Sequence, residues 1–191
     1  MLLIENINDY GEDFYSKIIL PNYLMKKNNN LSRLNDKKIL KISYYLKNKL
    51  ANDLNLCCYK IQYTIYKKPF LKTNDKIINF NISHHDDIVV LYYNNNENVG
   101  IDILNIDKDL HYYHSEYFTE EENNIINNKN IFYDIWLMKE SYSKYIGKGL
   151  HNNLKNINFL SCLKSKIYKD IKFEFRNYKN YKICICQKNN T

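Results

Sequence analysis

Ile77-Ile-Asn-Phe-Asn-Ile-Ser-His-His-Asp-Asp-Ile-Val-Val-Leu-Tyr-Tyr-Asn-Asn-Asn-Glu-Asn-Val-Gly-Ile-Asp-Ile-Leu104 is the stretch from which the fold is read. Three short runs, 77–82, 87–93 and 99–104, are rich in the β-branched and aromatic side chains that suit a pleated surface. Ser83-His84-His85 separates the first two, and the polar cluster Asn94-Asn-Asn-Glu-Asn98 separates the last two. Polar breaks between runs of strand length predict a hairpin whose exit leads into a further strand. That strand carries one carboxylate, Asp102, in an otherwise apolar sequence.

Outward from this hairpin the order of elements repeats. Residues 10–27 and 34–53 are predicted helices; in the second, Ile39, Ile42, Leu46 and Leu50 recur at helical spacing. Residues 58–66 alternate as a strand does, and Lys68-Pro69 forces extended or turn backbone. In the second half, helical segments at 108–117, 119–128 and 131–146 precede strands at 156–162, 166–175 and 180–187. Helices followed by strands, twice, predict an α+β protein of two similar lobes, 1–97 and 98–191, arranged as a pseudo-dimer. The repeat is architectural, without sequence identity between the halves.

Composition sets the setting. The chain has 191 residues, with 28 Lys and Arg against 21 Asp and Glu, a net charge of +7, which favours acidic or phosphorylated partners. The five cysteines, Cys57, Cys58, Cys162, Cys184 and Cys186, lack zinc spacing and read as thiols of a reducing compartment. Three of them sit in runs predicted as strands. Glu5 and Asp9 follow Met1-Leu-Leu-Ile directly, with no basic leader and no span of about 18 apolar residues, so a soluble cytoplasmic chain is expected.

The chemistry concentrates in Trp136-Leu-Met-Lys-Glu-Ser-Tyr-Ser-Lys-Tyr-Ile-Gly-Lys-Gly-Leu150. As a helix closed by Gly-Lys-Gly, it places Trp136, Glu140 and Lys144 on one face. Taken alone, an i,i+4 Glu–Lys pair is the ordinary decoration of a solvent face, and Asp102 the ordinary acid at a strand edge. Together they suit a metal held beside a phosphate, because Mg²⁺ takes one or two carboxylates plus substrate phosphate oxygens. His84, at a strand end, is positioned for a further phosphate contact.

Asn81-Ile-Ser-His84, Val99-Gly-Ile-Asp-Ile103, Phe118 with Glu122, and Trp136-x-x-Lys-Glu-Ser-Tyr-x-Lys144-x-x-Gly-Lys-Gly-Leu150 stand in order at spacings that resemble the 4′-phosphopantetheinyl transferases. The likeness is to the larger, two-lobed type that activates surfactin synthetase. Lys68-Pro69 falls where that family has Gly-Lys-Pro, with Lys67 in place of the glycine, and 180–186 resembles its closing strand.

The resemblance implies an active site at the lobe interface. Asp102 and Glu140 would hold Mg²⁺, or Mn²⁺ in its place, on the diphosphate of coenzyme A. Lys144 would contact the transferred phosphate. Ser83 and His84 would bind the 3′-phosphate end with Lys68 close by, and Lys38 would add a phosphate contact. The implied reaction moves phosphopantetheine to a serine of an acyl or peptidyl carrier protein and releases adenosine 3′,5′-bisphosphate. Glu140, through a water, is the first candidate for the base and Glu122 the second.

Many members read Asp-Ile-Glu where this chain has Asp102-Ile-Leu104, so looser metal binding than in three-carboxylate relatives is expected. The implied carrier is an acidic helical bundle, complementary to a basic chain. Tyr112-Tyr113 through Tyr117-Phe118 would supply an apolar docking contact or ordinary helix packing. A monomer, with no nucleic-acid or membrane partner, is expected. Two rivals stand beside this reading. One is a weakened homologue that binds coenzyme A or a carrier without efficient transfer, motivated by Leu104. The other is a basic nucleic-acid binder stacking bases on some of its 19 tyrosines, which are scattered and form no platform.

Overall fold

A computed structural model describes residues 1–94, 97–108, 115–149 and 154–189. Among the described residues, nine strands form two antiparallel sheets. Strands β1 (Leu2–Asn6), β2 (Lys60–Tyr63), β3 (Pro69–Lys72), β4 (Ile77–His85) and β5 (Ile88–Tyr93) make a five-stranded sheet in the order β1-β5-β4-β3-β2. Strands β6 (Val99–Asn105), β7 (Ile167–Tyr168), β8 (Ile171–Tyr178) and β9 (Tyr181–Lys188) make the second, in the order β6-β9-β8-β7. With helices packed on both sheets, the expected α+β class is the observed one.

The predicted hairpin is β4–β5, turned at Asp86, whose φ of 49° is the left-handed conformation such a tight turn uses. Ser83, His84 and His85 lie inside β4, paired to Val90, Val89 and Ile88, rather than in a loop. Strand β6 does not extend this hairpin. It crosses to the second sheet and pairs with β9, Asp102 opposite Cys184. All seven residues of β6 are buried. Its apolar run follows from being covered on both faces, as fully buried strands are.

Among the described residues, three apolar clusters hold the elements. Helix α3 (Leu34–Asp53) lays Ile42, Leu46 and Leu50 on Leu71, Ile78, Phe80 and Leu91 of the first sheet. Helix α5 (Lys129–Ile146) packs Phe132, Leu137 and Met138 against Phe173, Cys184 and Cys186 of the second. Between the sheets, Val90 of β5 joins Ile101 and Ile103 of β6 and Ile183 and Ile185 of β9. The edge of β6 away from β9 is met by β4: Asn81 Oδ1 accepts the Ile101 N–H at 2.9 Å. A side chain thus satisfies a ladder donor that an edge strand would leave open.

Several expectations are corrected. The helix predicted over 10–27 is broken into α1 (Glu12–Lys17) and α2 (Asn22–Asn30), because Pro21 holds extended backbone between them. Strand β1 was not predicted; its register is set by pairing with β5. The strand predicted at 156–162 is a 3-10 turn at Leu154–Asn156, then irregular chain, then helix α6 (Cys162–Ser165). The predicted 119–128 helix contracts to α4 (Glu120–Asn123). The helix expected at 108–117 falls largely outside the described residues, with a 3-10 turn at Ser115–Tyr117.

Candidate active site

Helix α5 and strand β6 approach closely because Gly100 has no side chain. A Cβ there would lie 1.9 Å from the carbonyl oxygen of Ser141 and 2.6 Å from the amide nitrogen of Tyr145, both backbone atoms of α5. Asp102 lies two residues further along β6, and Glu140 and Lys144 flank Ser141 and Tyr145. The glycine therefore sets the separation between the carboxylate of the strand and the charged face of the helix. At its end α5 stops on Gly147, left-handed at φ 72°, as the Gly-Lys-Gly sequence predicts.

The side chains that meet there form a closed triangle. Lys144 Nζ donates to Asp102 Oδ1 at 2.6 Å and to Ser83 Oγ at 2.7 Å, and Ser83 Oγ donates to the same Asp102 oxygen at 2.8 Å. Asp102 is buried, and a buried charge is tolerable when paired and hydrogen-bonded. A cavity of about 480 Å³ opens on this triangle, lined by Ser83, His84 and His85 of β4, Asp102 and Leu104 of β6, and Trp136, Glu140 and Lys144 of α5. Trp136, Glu140 and Lys144 do share one helix face, and it is this one.

Burial, then the charge of Asp102, pushes the Glu140 carboxyl up to about 7, with Lys144 opposing. Two carboxylates thus compete for one ammonium. That donor set fits a hard divalent cation, which would hold both in their charged forms. Among the described residues no group of three His, Cys, Asp or Glu is placed to hold a metal. The further ligands would be substrate oxygens and water. Leu104, where a third acid would stand, is buried in the core with Phe118 and Trp136.

His84 also lines a second cavity of about 320 Å³ against α3, with Lys27, Asp36, Ser43 and Lys47. Burial, followed by the charge of Lys144, lowers the His84 pKa. Lys47 is buried on α3, and burial brings its ammonium down to about 8. Lys47 was not among the residues expected at the site. Its signal was a lysine within a turn of Leu46 and Leu50, on the side of the helix that meets the sheet.

Three expected site residues lie elsewhere. Lys68 Nζ donates to Asn98 Oδ1 at 2.6 Å, to the Val99 carbonyl at 2.8 Å and to the Tyr145 carbonyl at 3.1 Å. An ammonium has three donors, so Lys68 is fully engaged in tying the loop before β3 to β6 and the last turn of α5. Lys38 pairs with Glu12 at 3.0 Å and lies over the Tyr15 ring. Glu122 is wholly buried: it accepts the Thr119 N–H at 2.9 Å and the Phe159 N–H at 2.8 Å, and pairs with buried Lys139 at 2.8 Å. It caps α4 and anchors Phe159, which removes it from the cavity as a base. Of the aromatic docking segment, Tyr112 and Tyr113 lie outside the described residues; Phe118 is buried against Phe132 and Trp136.

Residues 98–186 match the 4′-phosphopantetheinyl transferase superfamily. The chain is 35% identical over 127 residues to the L-aminoadipate-semialdehyde dehydrogenase-phosphopantetheinyl transferase of Xenopus laevis, a match covering 55% of this chain and 42% of the relative. It is 35% identical over 106 residues to the Candida glabrata protein of the same name, covering 49% and 41%. Against the 4′-phosphopantetheinyl transferase gsp of Aneurinibacillus migulanus it is 37% identical over 92 residues, covering 45% and 37%. The matches thus span about two fifths of the length of these curated relatives.

Proposed function

We propose, from the match of residues 98–186 to the 4′-phosphopantetheinyl transferase superfamily, that this chain transfers 4′-phosphopantetheine from coenzyme A to a serine of an acyl or peptidyl carrier protein and releases adenosine 3′,5′-bisphosphate. The observation that carries the reading is the Lys144–Asp102–Ser83 triangle beside Glu140. It joins the matched segment to Ser83 of β4, which lies outside it, and opens on one cavity.

In this reading Asp102 and Glu140 would hold Mg²⁺, or Mn²⁺, which when bound neutralises charge on the diphosphate. Lys144, which reaches Asp102 and Ser83 here, would contact the transferred phosphate. His84 would face the adenosine end, and the basic cavity of Lys27 and Lys47 would receive the 3′-phosphate. Lys68 and Lys38 are engaged elsewhere and would act on the fold instead. We extend the proposal to two lobes, 1–97 and 98–191, in a cytoplasmic monomer, with an acidic helical carrier docking at the cavity mouth.

The test is to incubate the chain with coenzyme A, Mg²⁺ and several apo-carriers and weigh the carrier. A gain of about 340 Da, the mass of a phosphopantetheinyl ester, is expected, and EDTA abolishes it. Leu104 favours a second reading, a weakened homologue. Coenzyme A binding without mass gain on any carrier would replace the first reading with that one.

A further inference from the structure

We propose that His85 is the group that takes the proton from the attacking hydroxyl; the assignment rests on the transfer reaction proposed above. Side chains alternate along β4, so Asn81, Ser83 and His85 share one face. Asn81 and Ser83 contact β6 directly, which turns that face toward β6. His85 lines the cavity beyond Ser83, alongside Asp102, Glu140 and Lys144.

The other polar groups of the cavity have different duties. Asp102 is bound by Lys144 and Ser83, and with Glu140 it forms the donor set for the cation. Lys144 is a donor without a lone pair to offer. His84 shares its surroundings with the Lys144 ammonium, which opposes a second positive charge, and it also lines the basic cavity on α3. His85 stands beside a carboxylate. Asp86 Oδ2 lies 3.9 Å from its Nε2, too long for a hydrogen bond and close enough to stabilise an imidazolium. The Tyr181 ring of β9 meets the imidazole edge-on, with centroids 6.4 Å apart. Asp86 is itself held by Lys108, by Asn105 Nδ2 at 3.0 Å and by the Tyr181 hydroxyl at 3.4 Å.

The charged groups acting on His85 are Asp86 from the β4–β5 turn, Lys108 from the segment after β6, and Asp102 from β6. Burial lowers its pKa, so the imidazole stands neutral with a nitrogen lone pair available, and Asp86 favours the charge it gains. The step balances without a redox partner. The hydroxyl oxygen forms the new bond to phosphorus, and the bond to the bisphosphate breaks with its electron pair leaving on that oxygen. The proton passes to His85 and then to solvent.

The experiment measures kcat against pH for wild type, His85→Gln and Asp86→Asn, with saturating coenzyme A and one carrier that wild type labels. His85→Gln should lower kcat about 10²- to 10³-fold, the usual worth of a general base, remove the acid limb and leave the KM for coenzyme A within about threefold. Asp86→Asn removes a carboxylate that favours the imidazolium, so its acid limb should move to lower pH. An acid limb retained in His85→Gln, or more than about a tenth of wild-type kcat, overturns the assignment and points to Glu140. If His85→Gln does not fold, an acid limb unmoved in Asp86→Asn overturns it. A wild type that labels no carrier overturns the transferase reading itself, which separates the two failures.

Discussion

Gly100→Ala should disable the site without touching a charged group. The new methyl carbon would start 1.9 Å from the Ser141 carbonyl oxygen, whereas ordinary contact begins near 3.4 Å. Helix α5 and strand β6 must separate by about 1.5 Å, since the atoms in the way are backbone and cannot rotate aside. Overpacking of this kind costs about 1–3 kcal/mol, which in a chain of this size lowers Tm by about 2–12 °C. The effect on catalysis should be larger in proportion. The Lys144–Asp102 contact of 2.6 Å spans the same seam, and a misplacement of about 1 Å in a reacting constellation costs roughly 10²-fold in rate. Thermal denaturation and the carrier mass assay, run on one preparation, read both quantities. Gly11→Ala is the control, because nothing lies within 4 Å of its Cβ, and it should cost less than about 1 kcal/mol. A Gly100→Ala protein with Tm within about 1 °C of wild type and an undiminished transfer rate would refute the close-approach argument.

Glu140→Gln should raise Tm at pH 8 in EDTA while abolishing transfer. The folded carboxyl titrates near 7 against an ordinary 4.5, so the folded state holds the extra proton and wild type loses stability as pH rises from 4.5 to 7. The glutamine variant escapes that loss, so the Tm gap should open across this window and close again for wild type on adding Mg²⁺. Glu122→Gln should destabilise by about 3–5 kcal/mol in chemical denaturation, since it leaves the Lys139 ammonium buried without its counter-charge. At low temperature, coenzyme A affinity should change by less than about threefold, because Glu122 lies outside the cavity. Leu104→Glu should lower the Mg²⁺ concentration for half-maximal rate at the expense of stability, because it sets a carboxylate among Phe118 and Trp136. An unchanged Mg²⁺ requirement would count against the missing-carboxylate idea.

Much of the frame was legible because the signals are local. The helix of α3 follows from Ile39, Ile42, Leu46 and Leu50, and the hairpin from two β-rich runs around a short polar break. Where the reading missed, distant partners decided the backbone. Residues 156–162 have the apolar content of a strand, yet the Leu154 and Ile157 carbonyls are taken by Lys139 Nζ at 2.9 and 2.7 Å, which commits them to a side chain instead of a ladder. Strand β1 is five residues at a sheet edge, and its pairing with β5 bridges almost the whole first half of the chain.

The candidate site divides along the same line. The sequence alone determined that Trp136, Glu140 and Lys144 share a face, because the period of a helix requires it, and that Asp102 is a carboxylate within an apolar strand. Only the tertiary structure decided which other residues join them. The alternation of β4 could be read either way until the Asn81–Ile101 contact turned Ser83 and His85 toward β6. Lys68 and Glu122 keep the residue types of a phosphate ligand and a base, yet both are spent on main-chain groups and a buried ion pair. Residue type states what a side chain is able to do. Which partner claims it first is set by packing between elements far apart in the chain, and spacing along the sequence carries no record of that.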